Sequence, residues 1–245
     1  MFTNPIKAAA YDDLLTVVEL WFGDGPRHTE DANWPSGKFL MRGGICWPDK
    51  YDTETKTVQG FALVAGYNLG TDRLYLFHER AFCCIADIVD PPTRKILFEG
   101  LAPWFATVWG RYLCDSFYSN QPDNVCLRWE QEVHAMPAVQ PPPRFIPCEP
   151  WRNVESAEAL IWDWITRRRL EMLDDRLGQA VTGYNRREAT ELPAPLHALA
   201  AALTGILPNV TGAKEVASSP AARIRRIGNV LMREHERDWH EEDRP

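Results

Sequence analysis

KFLMRGGICW (Lys38–Trp47) and VQGFALVAGY (Val58–Tyr67) decide the fold. Both are dense in β-branched or aromatic residues and are flanked by polar or glycine-bearing connections, the pattern of strands joined by short turns. Upstream, Leu14 to Phe22 is a β-prone apolar segment ended by the turn signal Gly23-Asp24-Gly25-Pro26. Downstream, Arg73 to Phe77 and Ala81 to Val89 repeat the pattern, with His78-Glu79-Arg80 as a charged hairpin turn between them. The spacing predicts a meandering antiparallel sheet. Gly43-Gly44 is expected to serve a bulge, and Gly66 with Gly70 a hairpin.

A helix should cover this sheet. Asp90-Pro91-Pro92 offers an N-cap and prolines at the first helical positions, where a missing N–H costs little. Leu97, Leu101, Trp104, Phe105, Val108, Tyr112 and Leu113 follow at the spacing of a buried stripe, with Gly100 and Pro103 marking a kink. Trp104 and Trp109 at that spacing read as core residues rather than as platforms for bases. Val125 to Val133 reads as one more strand.

Met136 to Pro150 holds six prolines, which sustain neither a helix nor a central strand. It reads as an extended connector and sets the expected organisation: an aromatic-rich α+β domain over 1–136, a connector over 137–150, and an Arg-rich helical domain over 151–245. In that last part, Asn153 or Ser156 caps a helix that buries Leu160, Ile161, Trp164 and Ile165 and runs through Arg167, Arg168 and Arg169 to Leu177. Pro195 to Leu207 repeats Leu196, Leu199, Leu203 and Ile206 at helical spacing, and a third helix starts at Ser219. Val181 to Glu191 and Pro208 to Ser218 are expected as loops. The fold class is therefore α+β: a mostly antiparallel N-terminal sheet with one long packed helix, then a small helical bundle or cap.

Over 245 residues, 45% apolar and 25% charged composition is that of an ordinary soluble globular protein. No stretch approaches the roughly 18 uninterrupted apolar residues of a membrane span, and the expected location is the cytoplasm. A net charge of -7 argues against nonspecific coating of nucleic acid and leaves that work to a local basic surface. Acidity concentrates before residue 150, with 19 acidic against 13 basic residues, whereas 15 stand against 14 beyond it. Six cysteines show no C-x-x-C spacing, so they read as buried thiols and not as a zinc site or disulfide framework.

Signals for chemistry are sparse. Asp24, His28, Glu30 and Asp31 crowd one loop with ligands suited to a divalent metal, although their spacing matches no metal motif and a solvated turn has the same composition. His235 and His240 lie five positions apart, about 140° around a helix, and so form no i, i+4 ligand pair. Dinucleotide fingerprints, phosphate loops and nucleophile elbows are absent from the sequence, and no cofactor is expected.

The basic features point elsewhere. On the helix predicted from Ser219 to Arg237, Arg223, Arg226, Arg233 and Arg237 fall within an arc of roughly 80°, beside an apolar strip of Ile224, Ile227 and Leu231. A guanidinium row suits a phosphate backbone or a carboxylate-rich partner. Arg167, Arg168 and Arg169 would add to it if the helices converge, while Glu171, Asp174, Asp175, Glu234 and Asp238 stand close enough in sequence to pair with these arginines instead. The expected function is a noncatalytic subunit of a larger bacterial-type assembly that contacts DNA, RNA or an acidic protein partner through C-terminal Arg-bearing helices. A CRISPR-effector-like nucleoprotein complex has subunits of this outline, an analogy of architecture carried by no motif. The alternative is a metal-dependent hydrolase or nuclease using the Asp24 to Asp31 loop, with Glu79 as a further ligand.

Overall fold

The computed structural model describes residues 17–20, 36–48, 51–52, 57–58, 60–82, 98, 102–135, 143–148, 154–166, 170–171, 177, 180–181, 183–184, 192–218 and 224–227. The expected antiparallel sheet forms from β1 (Val17–Leu20) and β2 (Gly37–Cys46), followed, after a small ladder of β3 (Tyr51–Asp52) with β4 (Thr57–Val58), by β5 (Gly60–Asn68) and β6 (Arg73–Phe82). β1, β2, β5 and β6 pair antiparallel in that order.

Two details differ from expectation. His78-Glu79-Arg80 is no turn: β6 runs through it, with His78 opposite Val64 and Glu79 opposite Leu63. The bulge sits here, where the register shifts between Val64 and Ala65 and leaves Phe77 as the extra residue, whereas Gly43 and Gly44 pair regularly with Val64 and Leu63. The β5–β6 hairpin closes at Leu69 to Asp72. There the Asn68 Oδ1 accepts the Gly70 and Thr71 N–H groups at 2.9 and 3.0 Å, and Asp72 takes a left-handed φ of 56°.

Helix α1 (Ala102–Tyr112) covers one face, and Pro103 stands in its first turn, where proline is tolerated, rather than at a kink. The proposed start at Asp90 lies outside the described residues. β7 (Ser116–Ser119), helix α2 (Asp123–His134) and β8 (Arg144–Pro147) follow, with β7 parallel to β2 and β8 parallel to β7. Val125 to Val133 is thus helical and not a strand. Cys126, Trp129 and Val133 bury one side of α2 at three- and four-residue steps, and Asp123 sits in the first turn, where the helix dipole favours an anion.

Beyond the proline-rich stretch come α3 (Val154–Thr166) and β9 (Leu170–Glu171), which pairs parallel with Leu74 and Tyr75 of β6. The helix predicted to run unbroken to Leu177 is therefore interrupted at Leu170 and Glu171, which take backbone partners on an open sheet edge. α4 (Ala194–Ile206) forms as expected; after a 3₁₀ turn at Leu207–Asn209, α5 (Val210–Ser218) replaces the expected loop. β10 (Ile224–Ile227) then lies parallel to β1. Residues 224–227 are accordingly a strand and not part of a helix.

The main path of the sheet is β10-β1-β2-β5-β6-β9, with β7 and β8 branching from β2. Alternation along the strands splits the core in two. Phe39, Met41, Ile45, Val64, Tyr75 and Phe77 face α1 and α2. Leu40, Leu63, Ala65, Tyr67, Leu74 and Leu76 face α3, α4 and α5, so helices from beyond the proline-rich stretch share a core with the first strands. Gly44 lets α4 settle on β2: a Cβ there would lie 1.8 Å from the Ala198 carbonyl oxygen. The run from Ala194 to Ser218, in which an 18-residue window has a mean hydropathy of 1.2, has the length and composition of a bilayer span, yet its first helix packs against β2 and β5.

Candidate functional site

Of the arginines singled out in the sequence, Arg226 lies among the described residues. Arg167, Arg168, Arg169, Arg223, Arg233 and Arg237 lie outside the described residues. Arg225 and Arg226 fall on β10, the outermost strand at one end of the sheet order. A strand repeats every two residues, so the helical face on which four guanidinium groups were to align does not exist across 224–227. Instead Arg226 stands in register with Glu19 of β1, which stands in register with Lys38 of β2: a cationic, anionic and cationic position across three strands. Helix α5, which precedes β10 in the chain, is tied down. Lys38 Nζ donates to the Ala217 carbonyl at 2.7 Å near the end of α5, and Lys214 Nζ donates to Asp72 at 2.6 Å on the β5–β6 hairpin.

A polar junction lies where β2 meets β7. Arg42, only 4% exposed, donates through Nη1 to Asp115 at 3.0 Å and to the Met41 carbonyl at 2.7 Å. Tyr118 lies over Gly205 of α4, where a Cβ would come within 2.1 Å of its ring. Burial raises the Tyr118 phenol, against the opposing pull of Arg42. Burial, reinforced by Asp115, likewise holds the neighbouring Cys114 thiol far above the ordinary thiol range. A single Nη1 contact joins the pair, so Arg42 Nε and Asp115 Oδ2 keep no protein partner. The arrangement suits a structural ion pair joining the two strands. An isolated Arg in an apolar strand gave no sign of it, because Asp115 is far away in sequence.

At the end of β2, the Cys46 Sγ lies 3.5 Å from the Nδ1 of His197 in the first turn of α4. The next residue is held in place: Asn120 accepts the Trp47 N–H at 2.7 Å and donates to the Trp47 carbonyl at 2.8 Å. Cys46, Cys114, Cys126 and Cys148 are buried thiols outside any disulfide, as the sequence suggests, but pairing with His197 singles out Cys46. Across α3, a shallow apolar cleft is lined by Ile161, Trp162, Ile165 and Leu196, and the Tyr184 hydroxyl donates to Glu158 at its side.

Asp24, His28, Glu30, Asp31, His235 and His240 are outside the described residues, among which no three His, Cys, Asp or Glu side chains gather in a metal-binding group. Glu79 is buried on β6, opposite Leu63 and so on the α4-bearing face. His78, on the other face, stacks on Trp104 with ring centroids 5.7 Å apart. Trp104 is itself a buried core residue. No protein-family model and no curated protein sequence matches this chain.

Proposed function

We propose that this chain is a noncatalytic subunit of a larger nucleoprotein assembly and that its Arg-bearing C-terminal segment contacts nucleic acid. One observation carries the reading: Ile224-Arg225-Arg226-Ile227 is the terminal strand of the sheet order, bringing two arginines to the margin of the fold. Anchoring of α5 by Lys38 and Lys214 sets the point from which this segment departs. Arg forks suit phosphate oxygens, and a local basic margin on a chain of net charge -7 directs contact to one place.

Binding of the purified chain to short DNA and RNA across a salt series tests the proposal. Affinity should fall steeply with salt, and replacing Arg223 and Arg226 with alanine should lower the logarithmic salt slope by about two, roughly one for each phosphate left without its guanidinium. A monomer that binds neither nucleic acid at low salt, and whose behaviour the two substitutions leave unchanged, overturns it. Binding to an acidic protein with no affinity for nucleic acid replaces it with a protein-docking role.

A further inference from the structure

We propose that the cleft beside α3 is a binding site for a small organic ammonium ion, one with an apolar body and a cationic N–H head. Glu158, Ile161, Trp162 and Ile165 fall within an arc of roughly 100° and so share one face of α3. That face, together with Tyr184 and with Leu196 of α4, borders about 220 Å³ of space, part of it open to solvent. Sites for drug-sized ligands begin at roughly 300 Å³, so this one suits a single ring or a short chain. It lies apart from the C-terminal arginines and does not depend on nucleic-acid binding.

The side chains set the class of ligand. Ile161 and Leu196 belong to the core and give the cleft an apolar wall. Into it α3 brings a carboxylate: Glu158 is only 4% exposed, and the Tyr184 hydroxyl donates to its Oε1. Burying a carboxylate is costly, and a helix that served only to cover the core would be better stabilised by an apolar residue at this position. The two oxygens of a carboxylate carry about four lone-pair sites, enough to hold the Tyr184 hydroxyl and an ammonium together. Trp162, one turn along from Glu158 and 40% exposed, sets an indole at the mouth of the cleft. An aromatic ring attracts a cation and covers its alkyl or aryl body. An uncharged ligand of the same shape gains the apolar contacts but loses the charge-assisted hydrogen bond, so charge decides which ligand is held.

The test is isothermal titration calorimetry of the full chain with benzylammonium and, separately, with benzyl alcohol, its uncharged counterpart. Benzylammonium should bind with a dissociation constant in the millimolar range or below, at least about tenfold more tightly than the alcohol. Trp162→Ala, at an exposed position, should weaken binding of the ammonium about two- to fivefold, and Glu158→Gln should reduce it to the level of the alcohol. Where Glu158→Gln fails to fold, the comparison of the two probes and the Trp162→Ala variant decide. Equal affinity for the two probes, no saturable binding of the ammonium, or binding that either folded variant leaves unchanged overturns the proposal.

Discussion

On one side of β2 the sheet is covered by rings, and on the other by alanines. Phe105 of α1 meets Phe98, Phe117 and Phe145 with centroids 5.3, 5.0 and 5.1 Å away, while Phe98 stacks on Trp129 at 4.7 Å. Opposite them, Ala198, Ala200, Ala201 and Ala202 of α4 are wholly buried, and the helix backbone itself touches the strand at Gly44. Consecutive glycines serve the two modes. Gly43 makes room for the Phe117 ring, 2.0 Å from where its Cβ would be, and Gly44 makes room for Ala198. Rings fill a wide gap with side chains that can rotate, whereas small residues close the gap with main chain that cannot move alone.

That contrast is open to measurement by urea unfolding, beginning with the largest effect. Gly44→Val should abolish folding or cost more than about 4 kcal/mol, and Gly43→Ala should cost about 1–3 kcal/mol as Phe117 shifts. Equal costs would break the comparison. Phe105→Ala should cost about 3–5 kcal/mol, since it opens a cavity at the centre of the ring cluster. Asp115→Ala should cost about 2–4 kcal/mol by leaving Arg42 buried without its carboxylate, and Arg42→Met combined with Asp115→Leu should recover much of that loss. A double variant as unstable as Asp115→Ala would show that the pair does more than satisfy its own charges.

Alkaline pH should weaken the aromatic side through its buried thiols. The Cys126 thiol rises from the ordinary 9.0 to about 12 in the folded chain, and the Cys114 thiol moves the same way. Groups that hold their protons more tightly when folded contribute stability in full below the unfolded pKa, and that contribution declines as pH rises toward the folded one. For Cys126 the window is about pH 9 to 12. Urea midpoints should fall across it, and Cys126→Ala should flatten the fall; an unchanged slope would count against burial as the cause. The smallest effect belongs to Lys214→Ala, which removes a half-exposed ion pair with Asp72 and should cost under about 1 kcal/mol.

Legibility followed the range of the forces involved. β2, β5 and the α4 stripe of Leu196, Leu199, Leu203 and Ile206 were readable because composition and period agreed with burial. α2 reads as a strand by its β-prone residues, although Cys126, Trp129 and Val133 carry the helical step that burial follows. Of the candidate arginines, Arg226 falls on a strand beside β1 that no local pattern announced. Cys46 had no sequence context to set it apart, since its partner lies far along the chain.

By itself, the sequence determined the α+β class, the antiparallel centre of the sheet and the burial of the four cysteines among the described residues, because strand patterning and apolar composition act within a few residues. Only the tertiary structure decided that β10 is a strand beside β1, that β9 extends β6 and that α4 lies on Gly44. Those outcomes depend on open backbone edges and on the close approach of distant segments, which outweigh local periodicity when main-chain hydrogen bonds and buried surface are at stake.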